Sequence, residues 1–188
     1  MPKTLILPGL DGSPAPHWQH WWAATDPQAL MVEQLDWANP TPEAWETEVA
    51  GAILRHPDCI LVGHSLGAVT AARILTRWPQ LRVAAALLVA PAEPETSRRI
   101  AAFGPIPERA LGVPTTVVAS RNDPWMPMAR SAALAAVWGG DLIDLGFAGH
   151  INVASGYGPW PAALALRDAL AVRAKATSFD LSAKRASA

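Results

Sequence analysis

Six short runs of nearly unbroken apolar residues recur along the chain: "TLILP" (4–8), "LMVEQLD" (30–36), "CILVG" (59–63), "VAAALLVA" (83–90), "TTVVAS" (115–120) and "DLIDLG" (141–146). Several are apolar at both odd and even positions, so as strands they would have no face left for water. Such strands belong to parallel sheets covered on each side by helices. The segments between them supply the cover: "APHWQHWWAA", "PEAWETEVAGAILRH", "LGAVTAARILTRW" and "MARSAALAAVWGG" read as helices, with "WPAALALRDALAVRA" after the last strand. Pro16, Pro42 and Pro161 sit at or near helix starts, where the missing N–H costs nothing. The expected architecture is therefore a doubly wound, mostly parallel six-stranded α/β sheet with helices on both faces. At 188 residues, with no internal repeat and no linker composition, the chain has material for one core. Residues 1–176 are expected to form a single domain, with 177–188, "TSFDLSAKRASA", as a flexible tail.

Composition narrows the function classes. Hydrophobic residues make up 51% and charged residues 16%, values of a globular protein. Fifteen basic and 16 acidic residues are scattered to a net charge of -1, which leaves no electrostatic footprint for nucleic acid. No stretch approaches the roughly 20 apolar residues of a membrane span. The apolar run before Pro8 is too short for a signal-peptide core, so a cytoplasmic location is expected. Cys59 is the only cysteine, which rules out an internal disulfide and a cysteine-based metal site.

Open α/β sheets bind ligands beyond the carboxyl ends of their strands. There, at a predicted strand-to-helix junction, stands Gly63-His64-Ser65-Leu66-Gly67. This G-x-S-x-G pattern would arise by chance about 0.04 times in a chain of this composition. It is the pattern of a nucleophile elbow, in which a tight turn exposes a serine and the flanking glycines prevent collision. Serine attacks only when a base takes its proton and a carboxylate orients the base. His150, in "LGFAGHIN", is the only histidine after Ser65 and follows the last strand. Asp123, in "VVASRNDPWMP", follows the fifth strand, whereas Asp141 and Asp144 lie within the sixth. Ser65, Asp123 and His150 are thus the expected nucleophile, acid and base. The backbone N–H of Leu66 is the expected first oxyanion donor. Leu10, in the glycine-flanked loop "LPGLDGS", is the candidate for the second. His64 should point away from the serine. His17 and His20 share a helix face with only Asp11 as a further ligand nearby, so packing or solvated roles are expected and no metal or other cofactor.

The motifs "LPGLDGS", "LDWANPTPEAW", "LVGHSLGA", "SRNDPWMP" and "GHINVASGYGPWP", in that order, resemble the α/β-hydrolase superfamily. Within it they resemble the small serine hydrolases that include bacterial YdeN-like proteins and retinoblastoma-binding serine hydrolase. The resemblance implies a minimal hydrolase core, a triad of Ser65, Asp123 and His150, and action on small carboxylic esters or related acyl bonds. It departs from better-known lipases at Pro8-Gly9-Leu10, where those enzymes often carry His-Gly. The stretch "PAEPETSRRIAAFGPIPERALGVP", where larger relatives insert a cap domain, has room for a flap or one helix only.

Nine tryptophans mark the chain. Trp21, Trp22, Trp45, Trp78 and Trp138 fall in predicted helices and are expected to pack. Trp125, Trp160, Trp18 and Trp37 are candidates for pocket walls around an uncharged, modestly sized small-molecule acyl substrate. The expectation is a serine esterase working through an acyl-enzyme. The same triad would serve a thioesterase, an amidase or an acyltransferase. A protein-interaction module is the alternative of a different class, kept open by the relative named for a binding partner. A nucleotide-binding role is not expected, since no G-x-G-x-x-G follows any strand.

Overall fold

The computed structural model describes residues 2–186, with side chains described through residue 176. The strands are β1 (Thr4–Leu7), β2 (Ala29–Met31), β3 (Cys59–His64), β4 (Val83–Val89), β5 (Thr115–Ala119) and β6 (Asp141–Asp144). The helices are α1 (Trp18–Thr25), α2 (Pro42–Arg55), α3 (Leu66–Arg77), α4 (Met128–Trp138) and α5 (Pro161–Ala186). They form one six-stranded sheet in the order β2-β1-β3-β4-β5-β6. Every neighbouring pair is parallel.

The two faces of the sheet explain why both parities of the strands are apolar. Leu5, Leu61, Leu88 and Val117 point to one side and pack with Trp45, Val49, Val69, Ile74 and Trp138 from α2, α3 and α4. Ile6, Ile60, Val62, Leu87 and Val118 point to the other and meet Trp18 and Trp22 of α1 with Ala163, Leu170 and Ala174 of α5. Each side chain is thus removed from water against a helix, the main source of stability in such a sandwich. Glu46 of α2, fully buried, is held by Arg73 at 2.6 Å and Arg77 at 3.0 Å across the α2–α3 contact. Among the described residues no helix is long and apolar enough to cross a membrane.

Strand order reverses between β1 and β3. From β1 the chain moves outward to β2, then returns past β1 to β3, so the loops after β1 and β3 diverge and leave a crevice at their carboxyl ends.

Two expectations are revised. The second strand, expected over 30–36, ends at Met31. Val32 N still donates to Ile6 O at 2.9 Å, but the Asp36 carboxylate accepts from the N–H groups of Ala38 and Asn39 and turns the chain away. Leu35 is consequently 82% exposed. The segment between β4 and β5 is, as expected, too short for a cap domain, and of the two forms open to it, it takes the flap and not the helix. It holds two 3₁₀ turns, Pro94–Thr96 and Ala101–Phe103, anchored by buried Ile100, Phe103, Ile106 and Leu111. The tail expected over 177–188 continues as α5 in its backbone to Ala186, and residues 187–188 lie outside the described residues.

Candidate active site

Ser65 is the hinge between β3 and α3, with φ 55° and ψ −122°. A non-glycine residue in this region carries strain, tolerated only where the surroundings overdetermine it. They do so here. Ser65 N–H donates to Val89 O at 3.0 Å. A Cβ on Gly63 would stand 2.6 Å from Ala68 Cα, and one on Gly67 would run into the Leu7 carbonyl oxygen. Only glycines let α3 start so close to the sheet, which places Ser65 at the carboxyl edge beside the crevice.

Two further loops converge on it. After β5, Asp123 directs its carboxylate toward the loop after β6 and accepts the Trp125 N–H at 2.9 Å. His150 Nδ1 lies 2.9 and 3.0 Å from the two Asp123 carboxylate oxygens, and His150 Nε2 lies 2.9 Å from Ser65 Oγ. The Asp123 and His150 side chains are only 3% and 9% exposed, so the Asp123–His150 contact is shielded from water. With Nδ1–H donated to the carboxylate, Nε2 is left as the acceptor for the Ser65 hydroxyl proton. Asp141 and Asp144 face elsewhere: the first pairs with Arg173, the second with Arg121 and the Gly146 N–H.

The two loops are trussed together. Asn122 Oδ1 accepts both Gly149 N–H and Ser120 Oγ–H at 2.8 Å, and Ser120 Oγ accepts Ala148 N–H at 2.9 Å. His150 N–H donates to Ser155 Oγ at 3.1 Å, and Trp18 Nε1 donates to Ile151 O at 2.9 Å. His64 points away from the serine, as expected, and does something the sequence did not suggest. Its Nε2 donates to His150 O at 2.9 Å, tying the His150 loop to β3. His17, His64 and His150 stand in a row with ring centroids 5.0 Å apart at each step. Burial, with the neighbouring His150 and His17 rings, holds the His64 imidazole well below the ordinary histidine range. Burial and His150 push His17 down to about 4. Both rings are therefore neutral near pH 7, and neither sets a positive charge beside His150.

Ser65 opens into a pocket of about 450 Å³. Leu10, Leu66, Ala92, Ile100 and Trp125 form its apolar walls. Leu66 N–H lies at the first position of α3, where no intrahelical acceptor exists. In the loop after β1, Asp11 N–H is taken by Trp37 O and Gly12 N–H by Gly9 O, while Leu10 N–H has no protein acceptor among the described residues.

Of the four tryptophans expected in the walls, only Trp125 is there, 39% exposed and 6.2 Å from the His150 ring. The other three are corrected. Trp18 is fully buried under the His150 loop, with its indole N–H already used. Trp37 packs edge-on against Trp45 at 5.6 Å and beneath Gly12. Trp160 is occupied by Trp18 and Tyr157, each at 5.3 Å. An indole buries too much apolar area to be spared from packing where a helix face is within reach. His17 caps α1, its Nδ1 accepting Gln19 N–H, and Asp11 pairs with Arg99. Among the described residues no group of three or more His, Cys, Asp or Glu is placed to hold a metal ion.

A family model described as serine hydrolase matches residues 4–168, which takes in all three of these side chains. The chain belongs to the serine hydrolase family. A YdeN-like hydrolase from Pectobacterium atrosepticum shares 32% identity with this serine hydrolase, over 92% of this chain and 91% of that one, at a TM-score of 0.83. The ydeN gene product of B. subtilis is 20% identical over 90% and 98% of the two chains, with a TM-score of 0.74. The Est1E protein of Butyrivibrio proteoclasticus, solved with ferulic acid bound, shares the fold at 14% identity over 83% and 86%, with a TM-score of 0.66. A search of the curated proteins finds no match.

Several residues around this hydrolase's site escaped the sequence. Asn122, Ser120 and Ser155 look like ordinary turn residues, and their function lies in partners 26 to 28 residues away, or in a backbone N–H five residues back. A usable signal was the density of small polar residues flanking both Asp123 and His150. Nothing in the sequence pointed to Asp11 meeting Arg99, 88 positions on.

Proposed function

We propose that this serine hydrolase is an esterase that cleaves small, uncharged carboxylic esters through an acyl-enzyme. The observation that carries the reading is the unbroken row Asp123–His150–Ser65 at the floor of a largely apolar pocket. Ser65 Oγ attacks the ester carbonyl carbon while His150 Nε2 takes the hydroxyl proton, and the carbonyl electron pair moves onto oxygen. Asp123 holds the imidazole in the required tautomer and balances the imidazolium that forms. Leu66 N–H, and Leu10 N–H from the facing loop, receive the oxyanion. As it collapses, the alkoxide leaves with the proton from His150. Water, deprotonated by the same imidazole, then attacks the acyl-serine, and Ser65 departs with its proton restored. The pocket volume suits a short acyl or aryl group, not an extended chain.

A fluorophosphonate probe tests the nucleophile: wild type becomes labelled and Ser65→Ala does not. Equal labelling of the two would sink the assignment. Turnover of p-nitrophenyl esters of graded acyl length, highest for the short members, tests the substrate class, and a maximum at long chains would refute it.

A further inference from the structure

Two residues of opposite full charge line the mouth of the pocket, Asp11 on the loop after β1 and Arg99 between the two 3₁₀ turns. They face each other in a fork. Arg99 Nη1 donates to Asp11 Oδ2 at 2.9 Å, and Arg99 Nη2 to Asp11 Oδ1 at 2.6 Å and to Ala38 O at 2.8 Å. A guanidinium engaged on both edges by one carboxylate presents little free charge to a third group. Beside the Ser65–His150 pair, the other polar side chains of the wall, Ser97, Asn152 and the neutral His17 and His64, carry none.

We propose that Asp11 and Arg99 are specificity-determining residues: by neutralising each other at the pocket mouth they restrict the enzyme to acyl groups without net charge. An anionic acyl group entering the pocket meets the Asp11 carboxylate, and a cationic one meets the Arg99 guanidinium. Each could gain the opposite member only by breaking a bidentate pair. Removing one partner uncovers the other and selects substrates of opposite sign. Because the side chains are 60% and 47% exposed, solvent screens them and the effect is modest.

This rests on the esterase reading of the same pocket, and the test separates the two. Three p-nitrophenyl esters of closely matched size serve as probes: 5-methylhexanoate (neutral), hemiglutarate (anionic) and 4-(trimethylammonio)butanoate (cationic). Asp11→Asn, which keeps the shape and one acceptor oxygen, raises the anionic-to-neutral kcat/KM ratio about three- to five-fold. Arg99→Gln raises the cationic-to-neutral ratio by a similar factor, and the double variant returns both ratios toward wild type. Salt at about 0.5 M shrinks the changes. If either single variant lowers all three esters by one common factor, the pair only braces the loops and the proposal is overturned. Absence of p-nitrophenyl acetate turnover by wild type would instead overturn the esterase reading itself.

Discussion

Replacing Gly9 by alanine probes how closely the loop after β1 must approach the nucleophile. A Cβ at this position would lie 2.8 Å from Ser65 Cβ and 3.3 Å from both Ser65 Oγ and His64 O. Ordinary contact begins near 3.4 Å, so one side has to retreat by roughly 0.6 Å. Ser65 is the side that cannot: its N–H is bonded to Val89 O, and Gly63 and Gly67 seat its turn against the sheet. The retreat falls on the Gly9–Gly12 loop and carries Leu10 N–H away from the oxyanion proposed to form at Ser65. Losing one such donor costs about 10²- to 10³-fold in kcat. The overpacking costs about 1–3 kcal/mol of stability, a fall in Tm of several degrees for a chain of this size.

Steady-state kinetics on p-nitrophenyl acetate, together with thermal unfolding by circular dichroism, read the two effects separately. Gly112→Ala is the control. Its φ of +76° is strained for alanine, but no atom lies within 4 Å of the added Cβ. It should lose about 1 kcal/mol and keep its kcat. A folded Gly9→Ala protein with kcat within about threefold of wild type would refute the argument that the loop's approach to Ser65 sets the rate.

Asn122→Ala deletes the acceptor shared by Gly149 N–H and Ser120 Oγ–H, freeing the loops that carry Asp123 and His150 to drift apart. It should lower kcat about tenfold with little change in KM, and cost about 1–2 kcal/mol in urea unfolding. A selective rise in KM would contradict this account. Acid should weaken the fold through His17 and His64, whose imidazoles titrate lower in the folded state than in the unfolded chain. Below about pH 6.5 the unfolded state then binds more protons than the native one, so stability is full above that pH and is lost as pH falls toward about 4. For His17 alone, moved from 6.5 to about 4, this amounts to about 3 kcal/mol. His17→Asn, which preserves the helix cap, should flatten the decline between pH 7 and 4.5, and an unchanged slope would show that the His17 ring does not contribute.

The sheet was legible because its central strands are apolar at nearly every position, and that pattern has few physical solutions. "VEQLD" misled at β2 because Val32 and Leu35 prolong, in the sequence, the apolar run of Leu30 and Met31, while the Asp36 side chain turns the chain away by a local bond that an apolar run does not register. The positions of Ser65, Asp123 and His150 were legible for a related reason. Ser65 follows β3 directly, Asp123 and His150 lie in the loops just after β5 and β6, and a parallel sheet brings strand ends to one edge whatever the packing details. The tryptophans were not. A side chain's identity states how much area it must bury but not on which side of its element, so Trp18, Trp37 and Trp160 could be placed only by their ring partners.

The same distinction separates the row of Asp123, His150 and Ser65 from the groups that hold it. The row is positioned by backbone topology, which a run of residues announces locally. Its support comes from side chains reaching between loops: His64 to the His150 carbonyl, Asn122 to Gly149, and Arg99 to Asp11. His64 is the sharpest case. It adjoins the serine in sequence and invites reading as its base, yet its turn directs the ring to the underside of the His150 loop. There burial keeps it neutral and its N–H holds the backbone of the actual hydrogen-bond partner of Ser65. A positively charged residue at that position would repel the His150 imidazolium of the proposed mechanism. A neutral ring with one N–H donor meets both demands, fixing the loop without opposing the charge.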